Sequence, residues 1–235
     1  MSVSRRVGRG GGSAVSARTA TSRTGNARRS RRRRGLANWA TVALAIGLGI
    51  AVLAVIFFAN AKGAGAGKYA YQVGKPGPGE AAPGVQLSGT DGAAFDLASL
   101  RGQTVMLFFQ EGIMCEPCWD QIKDIEAHRG EIAALGIDRI VSITGDPLVA
   151  LSLKVGIEGI KTTVLSDPDL AVSKRYAANQ YGMMGESADG HSFVVVGKDG
   201  TIRWRADYGG APNYTMYVPM PNLLADLKKG LGFPS

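Results

Sequence analysis

Apolar positions along this chain fall into two regimes. From Gly35 to Ala61 there is no charged residue, and Leu36 through Ala59 is dominated by Ala, Leu, Ile, Val and Phe. Twenty-four such residues in a helix would be about 36 Å long, enough to cross a hydrocarbon core of about 30 Å with some tilt. The pattern predicts one transmembrane helix over 36–61. Beyond Pro83 the apolar residues come in short β-branched runs, Thr104 to Phe109, Arg139 to Thr144, Thr163 to Leu165 and Phe193 to Val196, alternating with helical stretches. The runs read as buried strands, and their alternation with helices implies an α/β domain. A helix is expected to start at Cys115 or Glu116, with Pro117 in its first turn where a missing N–H costs nothing, and with Ile122, Ile125 and Ala133 as apolar contacts. Leu223, Leu224 and Leu227 mark a final amphipathic helix. Asp91-Gly92 and Lys198-Asp199-Gly200 are turn signals, the second joining Phe193–Val196 to Ile202–Arg205 as a hairpin.

Charge adds an orientation. Residues 1–35 carry eleven Arg and no Lys, Asp or Glu, whereas the remaining 200 residues hold sixteen basic against nineteen acidic side chains. The high pI therefore belongs to the tail, whose Gly, Ser and Arg cannot bury enough surface to fold alone. Such a tail suits nucleic acid or anionic lipid, but Arg28, Arg29 and Arg31 to Arg34 immediately precede the apolar stretch, and the positive-inside rule explains them more simply. The expected topology is a single-pass cell-membrane protein with a cytoplasmic N-terminus and an extracytoplasmic C-terminal domain; no nucleic acid is expected as a partner. A cleaved export signal ending at Ala59-Asn60-Ala61 is the competing reading, opposed by an apolar stretch much longer than a signal core. Residues 62–82, rich in Gly, Pro and Ala, read as a spacer. Residues 83–235 are then one domain with a single core.

The chemistry concentrates in Met114-Cys115-Glu116-Pro117-Cys118-Trp119, which holds both cysteines of the chain. Two cysteines one helical turn apart lie on one face, so their sulfurs can meet. A helix N-terminus offers unpaired N–H groups and partial positive charge that favour a thiolate. A structural disulfide closing so short a loop would stabilise little. Haem attachment is excluded because Trp119, not histidine, follows Cys118. Zinc would need more ligands than His128 and His191 supply at their separation of more than sixty residues. A redox pair without metal or other cofactor is the reading that remains. Glu116 suits a helix N-terminus but opposes a neighbouring thiolate, which favours a reductant. Trp119 and Asp120 either line the site or serve packing and solvation. His191 is either a donor or base near the sulfurs or a loop-bonding residue. The Tyr208–Pro219 stretch either covers the site or closes the core.

Gly89-Thr90-Asp91-Gly92, Phe95 to Gly102, Val105 to Phe109, Cys115-Glu116-Pro117-Cys118 and Phe193 to Ile202, in that order, resemble the thioredoxin superfamily over about 83–230. Within it the likeness is to the redoxin branch, which includes AhpC/TSA peroxiredoxins and membrane-anchored thiol-disulfide reductases. The resemblance implies a thioredoxin-like fold, a central mixed sheet flanked by helices, with catalytic Cys115 and Cys118 and no cofactor. Met114 stands where reductases usually have Trp, and His191 where they have a cis-proline and peroxiredoxins an Arg. Cys115 stands where peroxiredoxins have a Thr, which aligns Cys118 with their peroxidatic cysteine. The expected function is thiol-disulfide exchange, Cys115 attacking and Cys118 resolving, on a protein disulfide, with a membrane or envelope electron donor. Peroxide reduction by the same cysteines and a redox-inert adaptor are the alternatives.

Overall fold

A computed structural model of the chain describes residues 39, 42–52 and 69–234. Residues 42–52 are helical and exposed throughout. Among the described residues no helix is long and apolar enough to cross a membrane; most of the expected span, the arginine tail and the first part of the expected spacer lie outside them.

The remaining described residues build a seven-stranded mixed sheet. In chain order the elements are β1 (Gln86–Gly89), β2 (Ala94–Asp96), β3 (Val105–Phe109), α1 (Glu116–Ala127), α2 (Arg129–Ala134), β4 (Arg139–Thr144), α3 (Leu148–Glu158), β5 (Thr163–Ser166), α4 (Ala171–Arg175), β6 (Ser192–Val196), β7 (Ile202–Asp207) and α5 (Met220–Leu231). Strand order is β2-β1-β5-β4-β3-β6-β7. The pairs β3–β4 and β4–β5 are parallel, and the outer pairings are antiparallel. All five residues of β3 and of β6 are buried, as expected of central strands covered on both faces. On one face Met106, Phe108, Phe193 and Val195 pack with Trp119 and Ile122 of α1, Leu151 of α3 and Leu223 and Leu227 of α5. On the other, Leu107, Phe109, Val141 and Val194 meet Val85, Val172 and Tyr176.

The five sequence-derived strands lie where expected, within a residue or two at their ends, and both turn signals join antiparallel strands. The helix after the cysteines differs in length. It stops at His128, and a second short helix follows. That break changes the phase of the apolar stripe, so Ile132 enters the core while Ala133, expected as a contact, is exposed. The described part of the 62–82 stretch, residues 69–82, also differs from a free spacer. Gln72 exchanges backbone hydrogen bonds with Asp207, the Gly74 N–H donates to the Asp207 carboxylate at 2.7 Å, and Tyr71 packs edge-on to Trp204 and Tyr208. The exposed edge of β7 explains this: its unpaired backbone groups accept a passing chain.

Candidate active site

β3 delivers the chain to the site, and the loop from Gln110 to Met114 turns it into α1. Gly112 has φ +104, a left-handed conformation suited to glycine, and a Cβ there would run into the Asp146 carboxylate. Its carbonyl accepts from the Cys115 N–H at 3.0 Å and from the Trp119 indole at 3.1 Å. Asp146 accepts the Ile113 N–H at 2.7 Å, and Gln110, fully buried, accepts the Gly112 N–H at 2.9 Å through Oε1. The loop before the cysteines is therefore fixed from three sides.

Cys115 is the N-cap residue of α1, and Pro117 lies in the first turn. Cys115 and Cys118 are joined by a disulfide, Cα atoms 5.3 Å apart. The two sulfurs differ in access: Cys118 is completely buried, whereas Cys115 keeps 8% of its surface and adjoins Met114, which is 94% exposed. Glu116 is exposed and pairs with Lys154 at 3.0 Å, with Lys123 4.0 Å away; both lysines also bind Glu158. Trp119 is fully buried among core residues, its indole N–H on the Gly112 carbonyl and the Lys154 ammonium 5.4 Å from its ring centroid. It supports the cysteine loop from beneath. Asp120 is exposed beside Lys123, as a solvated helix face requires.

His191, immediately before β6, is fully buried, with Nδ1 3.9 Å from Cys118 Sγ. Burial lowers its pKa to about 3, so the ring is neutral. Two residues earlier, Asp189 is also buried; desolvation holds its carboxyl well above the usual range, although Ser173 hydrogen-bonds it at 2.9 Å. Burial thus disfavours the charged form of both ionisable groups of this short stretch. The Tyr208–Pro219 stretch is tied to α1 beyond the cysteines: the Val218 N–H donates to Gln121 at 2.7 Å and the Tyr217 hydroxyl to Asp124. Those contacts close the core.

The AhpC/TSA family model matches residues 78–205, more than half of the chain. The chain belongs to the AhpC/TSA family. Two candidate peroxiredoxins from two strains of Mycobacterium tuberculosis are each 32% identical to it over 130 residues, covering 53% of this chain and 81% of theirs. Among solved structures, the peroxidoxin BcpB of Mycobacterium tuberculosis superposes with a TM-score of 0.54 at 18% identity, covering 65% of this chain and 96% of that one. The reduced 2-Cys peroxiredoxin of Plasmodium vivax gives 0.53 at 18%, covering 64% and 80%. The thioredoxin-like fold is shared with both. This AhpC/TSA protein is accordingly a peroxiredoxin-like redox protein with a close cysteine pair.

Sequence reasoning missed Gln110, Gly112 and Asp146, which shape the family member's cysteine loop, and the segment 178–190 behind His191. Gly112 alone carried a signal, as a glycine three residues beyond a buried strand. Gly190 donates to the Ala178 carbonyl, and a Cβ on it would overlap Tyr181; such nonlocal closeness leaves no periodic trace.

Proposed function

We propose that this protein is a membrane-anchored thiol-disulfide oxidoreductase in which Cys115 attacks a substrate disulfide and Cys118 resolves the mixed disulfide. The observation that carries the reading is the unequal pair: two sulfurs bonded within one helical turn, Cys115 at the N-cap and partly accessible, Cys118 sealed behind it. The thiolate of Cys115 is supported by the N-terminal N–H groups and dipole of α1. Its attack forms a mixed disulfide and releases one substrate thiolate. Cys118 then attacks Cys115 Sγ, giving the Cys115–Cys118 disulfide and the second substrate thiolate, so two electrons pass to the substrate. An external dithiol, supplied by a membrane or envelope donor, returns the pair to the reduced state.

The second reading is a thiol peroxidase, favoured by the family and its peroxiredoxin relatives. One thiolate attacks a peroxide oxygen, forming a sulfenic acid and releasing water or an alcohol, and the other cysteine condenses with it, releasing water. Against it, no cationic side chain among the described residues hydrogen-bonds the sulfur of Cys118, the cysteine aligned with the peroxidatic position; its polar contact is the neutral His191.

The helical residues 42–52 expose Leu44, Ile46, Leu48 and Ile50, apolar and open all round, which suits lipid better than water. With the arginine cluster before them, this supports an anchor over 36–61, the N-terminus in the cytoplasm and the redox domain outside. Purified protein supplied with an external dithiol is expected to reduce the interchain disulfides of insulin, followed by turbidity. Rapid peroxide consumption without insulin reduction would select the peroxidase.

A further inference from the structure

The two cysteines differ also in what stands behind them. Cys118 has no exposed surface, and the polar atom against its sulfur is His191 Nδ1 at 3.9 Å. The imidazole lies edge-on to Phe108 and Phe193, at ring-centroid separations of 4.8 and 5.4 Å. Its backbone is fixed on both sides: the N–H donates to Tyr181 at 3.0 Å, and the carbonyl accepts from Tyr208 at 2.9 Å and Gly209 at 3.2 Å. The ring is thus clamped against the sulfur. Nε2 is buried without a hydrogen-bond partner. A buried polar atom left unpaired is destabilising, and such groups call for an explanation beyond packing. A phenylalanine would fill an aromatic slot without that cost.

The explanation rests on the disulfide-exchange reading above. The second step of that reaction needs the Cys118 thiol to lose its proton at a position water does not reach. We propose that His191 is the base that takes this proton at Nδ1, a catalytic residue of the resolving step and not of the first attack. The Cys118 S–H proton moves to Nδ1, and the thiolate left behind attacks Cys115 Sγ. The Cys115–substrate S–S bond breaks, its electron pair leaves with the substrate sulfur, and the proton on His191 is released to balance that thiolate. A neutral imidazole has the free lone pair this requires. Imidazolium and thiolate arise together as a pair without net charge, and their mutual attraction in a dry site offsets the ring's low basicity.

The test separates the two chemical steps. Fully reduced protein is mixed with one equivalent of an aromatic disulfide whose thiolate is coloured. The first thiolate reports attack by Cys115, and the second reports resolution by Cys118. His191→Gln and His191→Phe are expected to leave the first phase within about twofold of the unmodified protein and to slow the second by about a hundredfold, the usual scale of general-base catalysis. In unmodified protein, which needs no variant to fold, the second phase alone should slow in deuterium oxide. Equal slowing of both phases, or a second phase indifferent to both variants and to deuterium, would overturn the role of His191. Loss of the first phase in unmodified protein would instead overturn disulfide exchange itself.

Discussion

Glu116 places a negative charge beside Cys115 but shares it with Lys154 and Lys123. Removing the carboxylate takes away the negative charge on the residue next to the sulfur, so Glu116→Gln should lower the Cys115 thiol pKa. Because the Glu116 carboxylate is exposed and already shared with the two lysines, the shift should be small. Thiolate absorbance during titration of the reduced protein measures it, and a rise would contradict the reductant argument. His191 yields a second prediction at this scale. Its pKa falls to about 3 in the fold from an ordinary 6.5, so the unfolded chain binds more protons between those values. Stability from the neutral ring is present above pH 6.5 and lost as pH falls towards 3. Asp189, shifted upwards, acts with the opposite sign. The difference in unfolding free energy between unmodified protein and His191→Gln should therefore diminish as pH falls through this window; a constant difference would mean the ring is not neutral by burial. Residue identity told which side chains had suitable chemistry. It did not tell that Trp119 is a buried support or that His191 touches Cys118, because both facts depend on β6 and α1 meeting across 73 positions of sequence.

At the scale of elements, the cysteine loop depends on one backbone conformation. Gly112→Ala would put a side chain at φ +104 against Asp146 and disturb the carbonyl that holds Cys115 and Trp119. It should cost about 1–3 kcal/mol in chemical denaturation and slow disulfide exchange; an unchanged midpoint would show that the loop is not rigid. The contact between α1 and α3 should be acid-sensitive. Lys123 and Lys154 lower the Glu158 pKa from 4.5 to about 2, so their stabilising pairing is present above pH 4.5 and lost as pH falls through 2. Lys123→Met is expected to raise the Glu158 titration midpoint measured by carboxyl NMR. Short β-branched runs made β3, β4, β5 and β6 legible, since strands buried on both faces are continuously apolar, and the Lys198-Asp199-Gly200 turn signal added β7 as the hairpin partner of β6. Segments held by nonlocal backbone bonds were not: Ala178 to His191 has no period, and the described residues before Pro83 look like a spacer until the β7 edge is known to be open.

At the scale of the whole molecule, charge is divided between a tail with eleven arginines and a mildly acidic remainder. If the arginines keep the N-terminus in the cytoplasm, a reporter active only outside the cytoplasm should work when fused at Ser235. Activity confined to cytoplasmic reporters would reverse the orientation, and a released fragment starting near Lys62 would replace the anchor with a cleaved signal. The central claim, that Cys115 attacks disulfides and Cys118 resolves them, is tested most directly by trapping. Cys118→Ser, expressed in cells, should accumulate mixed disulfides with substrate proteins through Cys115, seen as reductant-sensitive adducts by mass spectrometry, while Cys115→Ser should trap few. Rapid peroxide-driven sulfenic acid formation at Cys118 in Cys115→Ser, with no protein adducts in Cys118→Ser, would contradict it.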